Sequence, residues 1–266
     1  MTVQHSGGGH PDRTLALLWR NQHRPGQAAE QSNQPARGRK PTLQLDAVVD
    51  TAIALADERG LTAASMGNVA KALGVGTMTL YTYVPSKEEL LDLMVDQVLL
   101  ERRLPGPGDE RPAGWRAQVE LYSDETRAMF HRHPWLAGIS MVRPPVGPGM
   151  LAGREYLLST MFALGLPPDR ANVAALAITT YVDSAAGGEA ASEALERSTG
   201  QTHDAWWQER YDLWEIYFDV ERYPTMTAVW NAEADGRAYG GGTREVTAEA
   251  YRFGLTRLLD GIAAGA

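Results

Sequence analysis

The side chains best placed to do chemistry lie on one short stretch, where hydroxyl groups and an amine recur at close spacing. Thr77 and Thr79 can hydrogen-bond to the edge of a DNA base or place a methyl group against thymine. Tyr81 carries its hydroxyl on a rigid ring, and Lys87 stands at a helix start, where its ammonium and backbone N–H groups can face one phosphate. These groups are suited to nucleic-acid recognition rather than to bond cleavage.

Two predicted helices position these side chains. The first runs over residues 66–73 behind Ser65, which can cap it, and the second runs over residues 77–83. Between them, Gly74 and Gly76 make a turn from residues that tolerate unusual backbone angles. Two short helices joined in this way predict a helix-turn-helix motif, whose second helix enters the major groove of DNA.

Two longer helices flank this pair. Residues 46–59 carry an apolar stripe and end at Gly60, which is typical of a helix with a C-terminal glycine cap. Ser86 begins a capping box with Glu89 three residues later, which predicts a long fourth helix over residues 87–100.

The sequence lacks the motifs of common enzymes and metal sites. It contains no cysteine, which excludes disulfides, thiolate metal sites and cysteine nucleophiles. His131 and His133 are the only close histidine pair, and a spacing of two puts them on different sides of a helix. No HExxH, P-loop or GxSxG pattern occurs. We therefore expect no catalytic residues, no bound metal and no other cofactor.

Charge is distributed unevenly along the chain. Residues 1–45 hold six basic and two acidic side chains, a net charge of +4, whereas the other 19 basic and 31 acidic side chains give −12. An acidic body with a basic front suits a protein that touches a polyanion at one end. Residues 1–41 are rich in Gly, Pro, Gln, Ser and Arg, which predicts a flexible basic arm with a possible short helix at 12–19.

The second helix of the motif contains no Arg or Lys, so part of the affinity for DNA has to come from elsewhere. The arm ends in a basic group made of Arg37, Arg39 and Lys40. A basic arm can enter the minor groove or lie along phosphates, as homeodomain arms do. We predict this role for the three residues, and the alternative is a solvated tail without contacts.

The stretch from Leu61 to Met94 resembles the DNA-binding head of the tetracycline-repressor (TetR) family. The matching elements are Leu61-Thr62, Ala70, Leu73-Gly74-Val75, Leu80-Tyr81, Tyr83-Val84-Pro85-Ser86-Lys87 and Leu90-Leu91. The match covers about residues 44–100. A looser resemblance to the ligand-binding domain of the family rests on His133-Pro134-Trp135 and on the Arg143-Pro-Pro-Val-Gly-Pro loop.

The resemblance implies roles for individual residues. Thr77, Met78 and Thr79 take the positions from which the family presents side chains to base edges. Tyr81 and Lys87 take the positions at which it holds phosphates.

Three further positions near the motif, Ser65, Gly67 and Tyr83, differ in what they imply for contact with DNA. Ser65 and Tyr83 complete the set of candidate DNA-contacting residues, although Tyr83 can equally be a packing aromatic. At Gly67 many relatives carry a polar or basic side chain that reaches DNA, and this chain has none to offer there.

A Pro/Gly-rich linker at residues 104–113 separates the DNA-binding domain, residues 42–103, from a second domain of residues 114–266. Only helices are predicted in the second domain, over residues 114–132, near Trp135, and over 149–164, 168–197, 205–220 and 247–263. The expected fold class is therefore all-α. A three-helix head is joined by a long fourth helix to a larger helical domain for ligand binding and dimerisation.

Aromatic and methionine side chains are concentrated in the second domain, which holds six of the seven tryptophans. Most of them must form the core, yet a helical domain lined by Trp, Tyr and Met suits an amphipathic, aromatic ligand. The candidate ligand-binding residues are Trp135, Met141, Tyr181, Asp183, Trp214 and Tyr217. Asp183 stands on a strongly apolar helix, and the alternative is an ordinary exposed or dimer-facing carboxylate.

Small residues in two helices point to self-association. Residues 168–188 and 247–263 are rich in Ala and Gly, which allows close approach, and the resemblance implies a homodimer joined by two such helices per subunit. Two heads related by a two-fold axis would bind the half-sites of a palindromic double-stranded DNA operator.

The predicted function is that of a ligand-responsive repressor, which a small-molecule effector releases from its operator. The alternative is a DNA-binding regulator whose second domain binds a protein partner. No apolar run is long enough to cross a membrane and no secretory signal begins the chain, so we expect a cytoplasmic protein without membrane contact.

Overall fold

The computed structural model describes residues 4–21, 43–234 and 242–265, apart from the side chains of residues 213–215, 233 and 234. Within these ranges the chain is almost entirely helical, which confirms the expected all-α class. It forms two compact units, residues 1–190 and 191–266. None of the described helices combines the length and the apolar character needed to cross a membrane.

The elements follow the chain in a simple order. The first unit contains β1 (Gln4–His5), α1 (Pro11–Leu18), α2 (Leu45–Arg59), α3 (Met66–Ala72), α4 (Thr77–Tyr81), α5 (Lys87–Leu100), α6 (Trp115–Arg132), β2 (Ile139–Ser140) and α7 (Pro148–Ala163). Helix α8 (Pro168–Thr199) crosses the boundary, and the second unit continues with α9 (His203–Gln208), α10 (Tyr211–Tyr217), α11 (Pro224–Ala234) and α12 (Thr243–Ala264). Short 3-10 helices at Leu61–Ala63 and Pro134–Gly138 precede α3 and β2.

Helices α2, α3 and α4 pack into the expected three-helix head. Val48, Val49 and Ala52 form the inward stripe of α2, and they share a core with Val69 of α3 and Leu80 of α4, all without exposed surface. The same core continues along the apolar residues of α5. The head and the helix that follows it are therefore held together by one continuous set of apolar contacts.

Three buried carboxylates lie on one side of α5. Glu89, Asp92 and Asp96 follow one another at spacings of three and four residues and are almost inaccessible to solvent. A carboxylate in such a place needs hydrogen-bond donors. The backbone N–H of Gly7 donates to Asp92 at 2.6 Å, and that of Met150, at the start of α7, donates to Asp96 at 3.0 Å. One segment that precedes α5 in the sequence and one that follows it are therefore both hydrogen-bonded to this helix.

A second polar junction joins α2 to the residues after α6. The indole N–H of Trp135, a buried residue, donates to Asp57 of α2 at 2.7 Å. The His133 ring lies between two carboxylates, with Nδ1 2.8 Å from Asp57 and Nε2 2.9 Å from Glu101. Trp135 and His133 therefore hold the head against the segment that leads into β2.

The described part of the N-terminal segment, residues 4–21, contains more regular structure than the sequence predicts. The expected short helix at 12–19 is present as α1, and residues 4–5 also pair as β1 with β2 in parallel register. A strand pair of only two residues on each side is too short to show an alternating pattern of apolar and polar residues in the sequence. Docking on α5 provides the contacts that a segment rich in glycine and polar residues cannot provide by itself.

The helices of the second unit also differ from the expectation. The single helix predicted over 205–220 is two helices, α9 and α10, and α11 was not predicted. A proline at the first position of α11, Pro224, is a helix-start signal that its β-branched and polar neighbours obscure.

The junction between α2 and Trp135 generates a stability prediction. Trp135→Phe keeps an aromatic ring but leaves the Asp57 carboxylate without its indole donor, so the free energy of unfolding should fall by about 1–3 kcal/mol. Urea titration followed by far-ultraviolet circular dichroism measures this. The matched variant Trp206→Phe alters an exposed residue of α9 and should change stability by less than about 0.5 kcal/mol. Equal effects of the two variants would contradict the assigned role.

Candidate DNA-binding surface and ligand site

Helix α4 exposes all but one of its side chains to solvent. Leu80 is completely buried and anchors the helix, whereas Thr77, Met78, Thr79 and Tyr81 are all exposed, Met78 by 78% of its surface. One inward leucine therefore fixes the helix, and its other side chains are free to meet another surface. This is the face on which the sequence places the base-reading residues.

The turn before α4 depends on glycine geometry. Gly74 has a φ of +67°, a backbone angle that side-chain-bearing residues rarely adopt. The next N–H, that of Val75, donates to the Ala70 carbonyl of α3 at 3.0 Å, which closes the end of that helix. The turn thereby fixes the direction in which α4 leaves α3.

Hydroxyl caps hold the ends of the motif. Ser65 Oγ accepts from the Asn68 N–H at 3.3 Å and caps α3. Ser86 Oγ accepts from the N–H groups of Glu88 and Glu89 at 3.1 and 3.3 Å and caps α5. Lys87 follows as an exposed residue at the first position of α5. An exposed ammonium beside a capped helix start is the arrangement expected of a phosphate site.

The remaining candidates for DNA contact have different surroundings. Tyr83 is half-buried and packs against the core of the head. Space is open around Gly67, which itself offers no side chain at this position. Arg37, Arg39 and Lys40 lie outside the described residues.

The candidate ligand residues are spread over different places. Trp135 and Met141 belong to the core of the first unit near the head, and Tyr181 and Asp183 lie half-buried on α8. Tyr217 of the second unit is 79% exposed. The side chain of Trp214 lies outside the described part of the structure. The sequence predicts that these residues contribute to one ligand site, whereas the described candidates do not all line a common cluster.

A buried polar cluster in the first unit surrounds Asp183 instead. The Tyr122 hydroxyl accepts from Nη1 of Arg102 at 3.2 Å and is hydrogen-bonded to Thr179, one turn before Asp183 on α8. Oδ1 of Asp183 and Oγ1 of Thr126 are shielded from solvent, and neither has a hydrogen-bond partner among the described residues. Buried polar atoms without partners are rare in folded proteins, and they are suited to orienting a bound ligand.

The electrostatics of the cluster follow from its burial. Removal from solvent raises the pKa of Asp183 to about 6, which the positive charge of Arg102 only partly opposes. Burial also raises the pKa of Tyr122, and the nearby Asp183 carboxylate adds to this effect. Asp183 therefore carries a charge that its surroundings compensate poorly, and a ligand with a donor group would stabilise it.

Arg102 connects this cluster to the helix behind the head. It lies two residues beyond α5, and its guanidinium donates to the carbonyls of Leu99 at 3.2 Å and of Gly149, in the first turn of α7, at 3.4 Å. A Cβ at Gly153 would stand only 2.4 Å from its Nη2. Arg102 is thus enclosed between the end of α5 and α7, and its position depends on both.

The sequence does not mark Arg102, Tyr122, Thr126 or Thr179 as members of this cluster. Arg102 follows Glu101 and precedes another arginine, a pattern typical of a solvated helix end. Tyr122 and Thr126 stand one turn apart on α6, and this spacing was the available signal for a shared inward face.

Comparison with known proteins gives two family models that together cover most of the chain. Residues 48–94 match the model for bacterial regulatory proteins of the tetR family, and residues 106–265 match the model for the tetracyclin repressor-like C-terminal domain. The HTH-type transcriptional repressor DrrR1 of Streptomyces coeruleorubidus is 38% identical over 261 residues, 98% of this chain and 88% of that protein. An HTH-type transcriptional regulator of Saccharopolyspora erythraea is 33% identical over 150 residues, 56% of this chain and 62% of that protein.

Solved structures agree with these matches. The Streptomyces coelicolor TetR family protein ActR, in complex with actinorhodin, superposes with a TM-score of 0.67 at 26% identity, over 85% of this chain and 98% of that one. The same protein in complex with (S)-DNPA gives a TM-score of 0.65 at 25% identity, over 85% of this chain and 99% of that one.

The raised pKa of Asp183 generates a pH prediction. The folded state disfavours ionised Asp183. The free energy of unfolding should therefore fall as the pH rises from 3.8, the pKa of this carboxyl in the unfolded chain, through about 6, its pKa in the folded protein. Asp183→Asn cannot ionise, and its stability relative to the unsubstituted protein should therefore grow between about pH 4 and pH 7 and then level off. Parallel thermal unfolding from pH 4 to pH 8 measures this. The control Asp124→Asn, on the exposed side of α6, should follow the unsubstituted protein throughout, and a flat difference for Asp183→Asn would contradict the assignment.

Proposed function

The chain belongs to the tetracycline-repressor (TetR) family, and from that premise we propose that it represses transcription as a homodimer on a palindromic operator and is released by a small amphipathic effector. The observation that carries the DNA-binding part is the exposed polar face of α4 behind the buried Leu80. A protein of this kind acts where chromosomal DNA is, so we also propose that it is cytoplasmic.

The head would contact DNA in two ways. Thr77, Met78 and Thr79 would meet base edges in the major groove, and Tyr81 and Lys87 would bind phosphates on either side. These side chains are exposed together on α4 and at the start of α5, which supports this division of roles.

Three other elements would support the contact. Ser65 would act at the start of α3, where it also caps the helix, and the half-buried Tyr83 would serve chiefly to pack α4. The basic residues of the arm, Arg37, Arg39 and Lys40, would add phosphate or minor-groove contacts.

Dimerisation would use exposed apolar residues of the long helices. Val173 and Leu176 stand one turn apart on α8 and are 61% and 57% exposed, and Phe253 of α12 is 65% exposed. Apolar side chains at helical spacing on a surface are typical of an interface. A two-fold dimer would present two copies of α4 to half-sites about 34–36 Å apart.

The effector would bind at the buried polar cluster. Asp183 and Thr126 offer atoms without partners, and Arg102 links their neighbour Tyr122 to the end of α5. A ligand that displaces Tyr122 or Asp183 would move Arg102. Movement of Arg102 would in turn shift α5 and the head to which α5 is joined. Such coupling needs only about 1–3 kcal/mol. The small molecules held by ActR support an effector of comparable chemistry.

Lys87 generates a test of the phosphate contact. Lys87→Gln should weaken binding to an operator selected from random duplexes and lower the slope of log affinity against log salt by about one per head, because one counterion fewer is released. Fluorescence anisotropy between 50 and 300 mM salt, roughly the range over which such slopes are resolved, measures this. The control Arg154→Gln removes an exposed charge on α7 and should leave the slope unchanged. An unchanged slope for Lys87→Gln would remove the residue from the interface.

Asp183 generates a test of the effector site. A panel of amphipathic polycyclic aromatic compounds, beginning with actinorhodin, is screened for release of the operator. Asp183→Asn should raise the half-release concentration about tenfold, the cost of losing one hydrogen bond to a charged group, with little change in operator affinity without compound. The neighbouring control Ser184→Ala, an exposed position, should respond like the unsubstituted protein. Unchanged release of Asp183→Asn would place the effector elsewhere.

A further inference from the structure

Residues 4–21, here named the strap, contact three parts of the first unit. They begin beside the loop 139–147, cross α5 on the side that carries its buried carboxylates, and end at the first turn of α2. A solvated N-terminal tail would not make specific contacts along its whole length.

The first contact is with the loop. Gln4 and His5 pair in parallel with Ile139 and Ser140. The Ser6 hydroxyl then donates to the carbonyl of Arg143 at 3.0 Å. These hydrogen bonds come from both backbone and side-chain donors. They hold the start of the strap in one register relative to β2.

The second contact is with α5. The N–H groups of Gly7 and His10 donate to Asp92 at 2.6 Å and to Glu89 at 3.1 Å. The Arg13 guanidinium lies 3.6 Å from the same Glu89 carboxylate. Burial opposes ionisation of Glu89, but its hydrogen bonds from Ser86 and His10 outweigh this effect and lower its pKa. The strap thus supplies the donors of the buried Asp92 carboxylate, and it adds one donor to Glu89, which Ser86 also hydrogen-bonds.

The third contact is at the far end of the strap. The indole N–H of Trp19 donates to the Val146 carbonyl at 3.0 Å, which returns the strap to the loop. Arg20 Nε donates to Asp46, in the first turn of α2, at 2.9 Å. One short segment therefore joins the loop, the start of α5 and the start of α2.

The loop also leads to the buried polar cluster. It runs into the first turn of α7, where the Gly149 carbonyl accepts from Arg102 and the Met150 N–H donates to Asp96. A displacement of Arg102 can therefore reach the head by two routes: directly along α5, and through the loop and the strap.

We propose that the strap is a positioning device, which holds the head in the orientation that binds the operator and couples the head to the loop 139–147. This inference rests on the proposed function as a DNA-binding repressor. Its residues act through the head rather than by touching DNA, so their loss should weaken operator binding without removing a phosphate contact.

Two neighbouring glycines offer a matched pair of variants. Gly7 has a φ of +71°, and a Cβ there would stand 2.5 Å from the Arg143 carbonyl oxygen, so Gly7→Ala cannot dock without displacing the strap. The atoms nearest to a Cβ at Gly8 would belong to the side chains of Glu88 and His5, none closer than 3.4 Å, so Gly8→Ala should dock normally. Both variants make the same chemical change one residue apart.

Hydrogen exchange and operator affinity are measured on both variants and on a chain that lacks residues 1–21. Gly7→Ala should accelerate exchange in β2 and in the first turns of α2 and α5, and weaken operator binding about three- to tenfold. The slope of affinity against salt should stay unchanged, because no phosphate contact is lost. The truncated chain should match Gly7→Ala, and Gly8→Ala should match the unsubstituted protein.

Several outcomes would overturn the proposal. If the truncated chain, still helical, binds the operator as tightly as the full chain, the strap does not position the head. A lower salt slope for Gly7→Ala would mean that the segment contacts phosphates instead. If the unsubstituted protein binds no duplex, the proposed function fails, and the strap is then judged by exchange alone: unchanged protection of α2 and α5 in the truncated chain would refute it.

Discussion

The structure depends on the hydrogen bonding of three buried carboxylates that share one side of α5. Glu89, Asp92 and Asp96 could stay ionised in water at little cost, but inside the protein each needs donors close by. Backbone N–H groups from the strap and from the first turn of α7 donate to each of them, and only Oδ2 of Asp92 is buried without a hydrogen-bond partner among the described residues. Burial still raises the pKa of Asp92 and of Asp96, and these N–H groups oppose the shift. Polar bonds with defined directions therefore fix the position of α5, which apolar packing alone would leave free to slide.

This constraint links the two surfaces that matter for function. The start of α5 carries Lys87 beside α4, and the residues just beyond its end carry Arg102 into the polar cluster with Tyr122 and Asp183. Because α5 is a regular helix, a shift at one end has to appear at the other unless the helix bends. The carboxylates lie between the two ends and are bonded to separate segments, so these segments resist or transmit any such shift. In the proposed function, ligand binding and DNA binding would therefore both act on this one helix.

The head could be predicted from the sequence because its signals are local. The Ser86 cap, the glycine turn at Gly74 and the apolar stripe of α2 each act within a few residues, and the structure contains each of them where the sequence indicates. The second unit could be predicted less well. One expected helix is two, and α11 had no clear signal, because short helices there depend on contacts that a single stretch of sequence does not reveal.

The polar cluster and the strap were harder to predict for a different physical reason. Asp183 was singled out because a carboxylate on an apolar helix is conspicuous, but its neighbour Arg102 reads as a surface residue until the fold encloses it. The partners of Asp92 are backbone N–H groups, which every residue except proline has, so no residue type marks them in advance. What the sequence does contain is the acceptors: acidic residues at 89, 92 and 96 on one face of a helix whose other residues are mostly apolar. Charges at core positions of a helix are therefore a reason to search the rest of the chain for glycine-containing segments whose backbone can approach closely enough to donate to them.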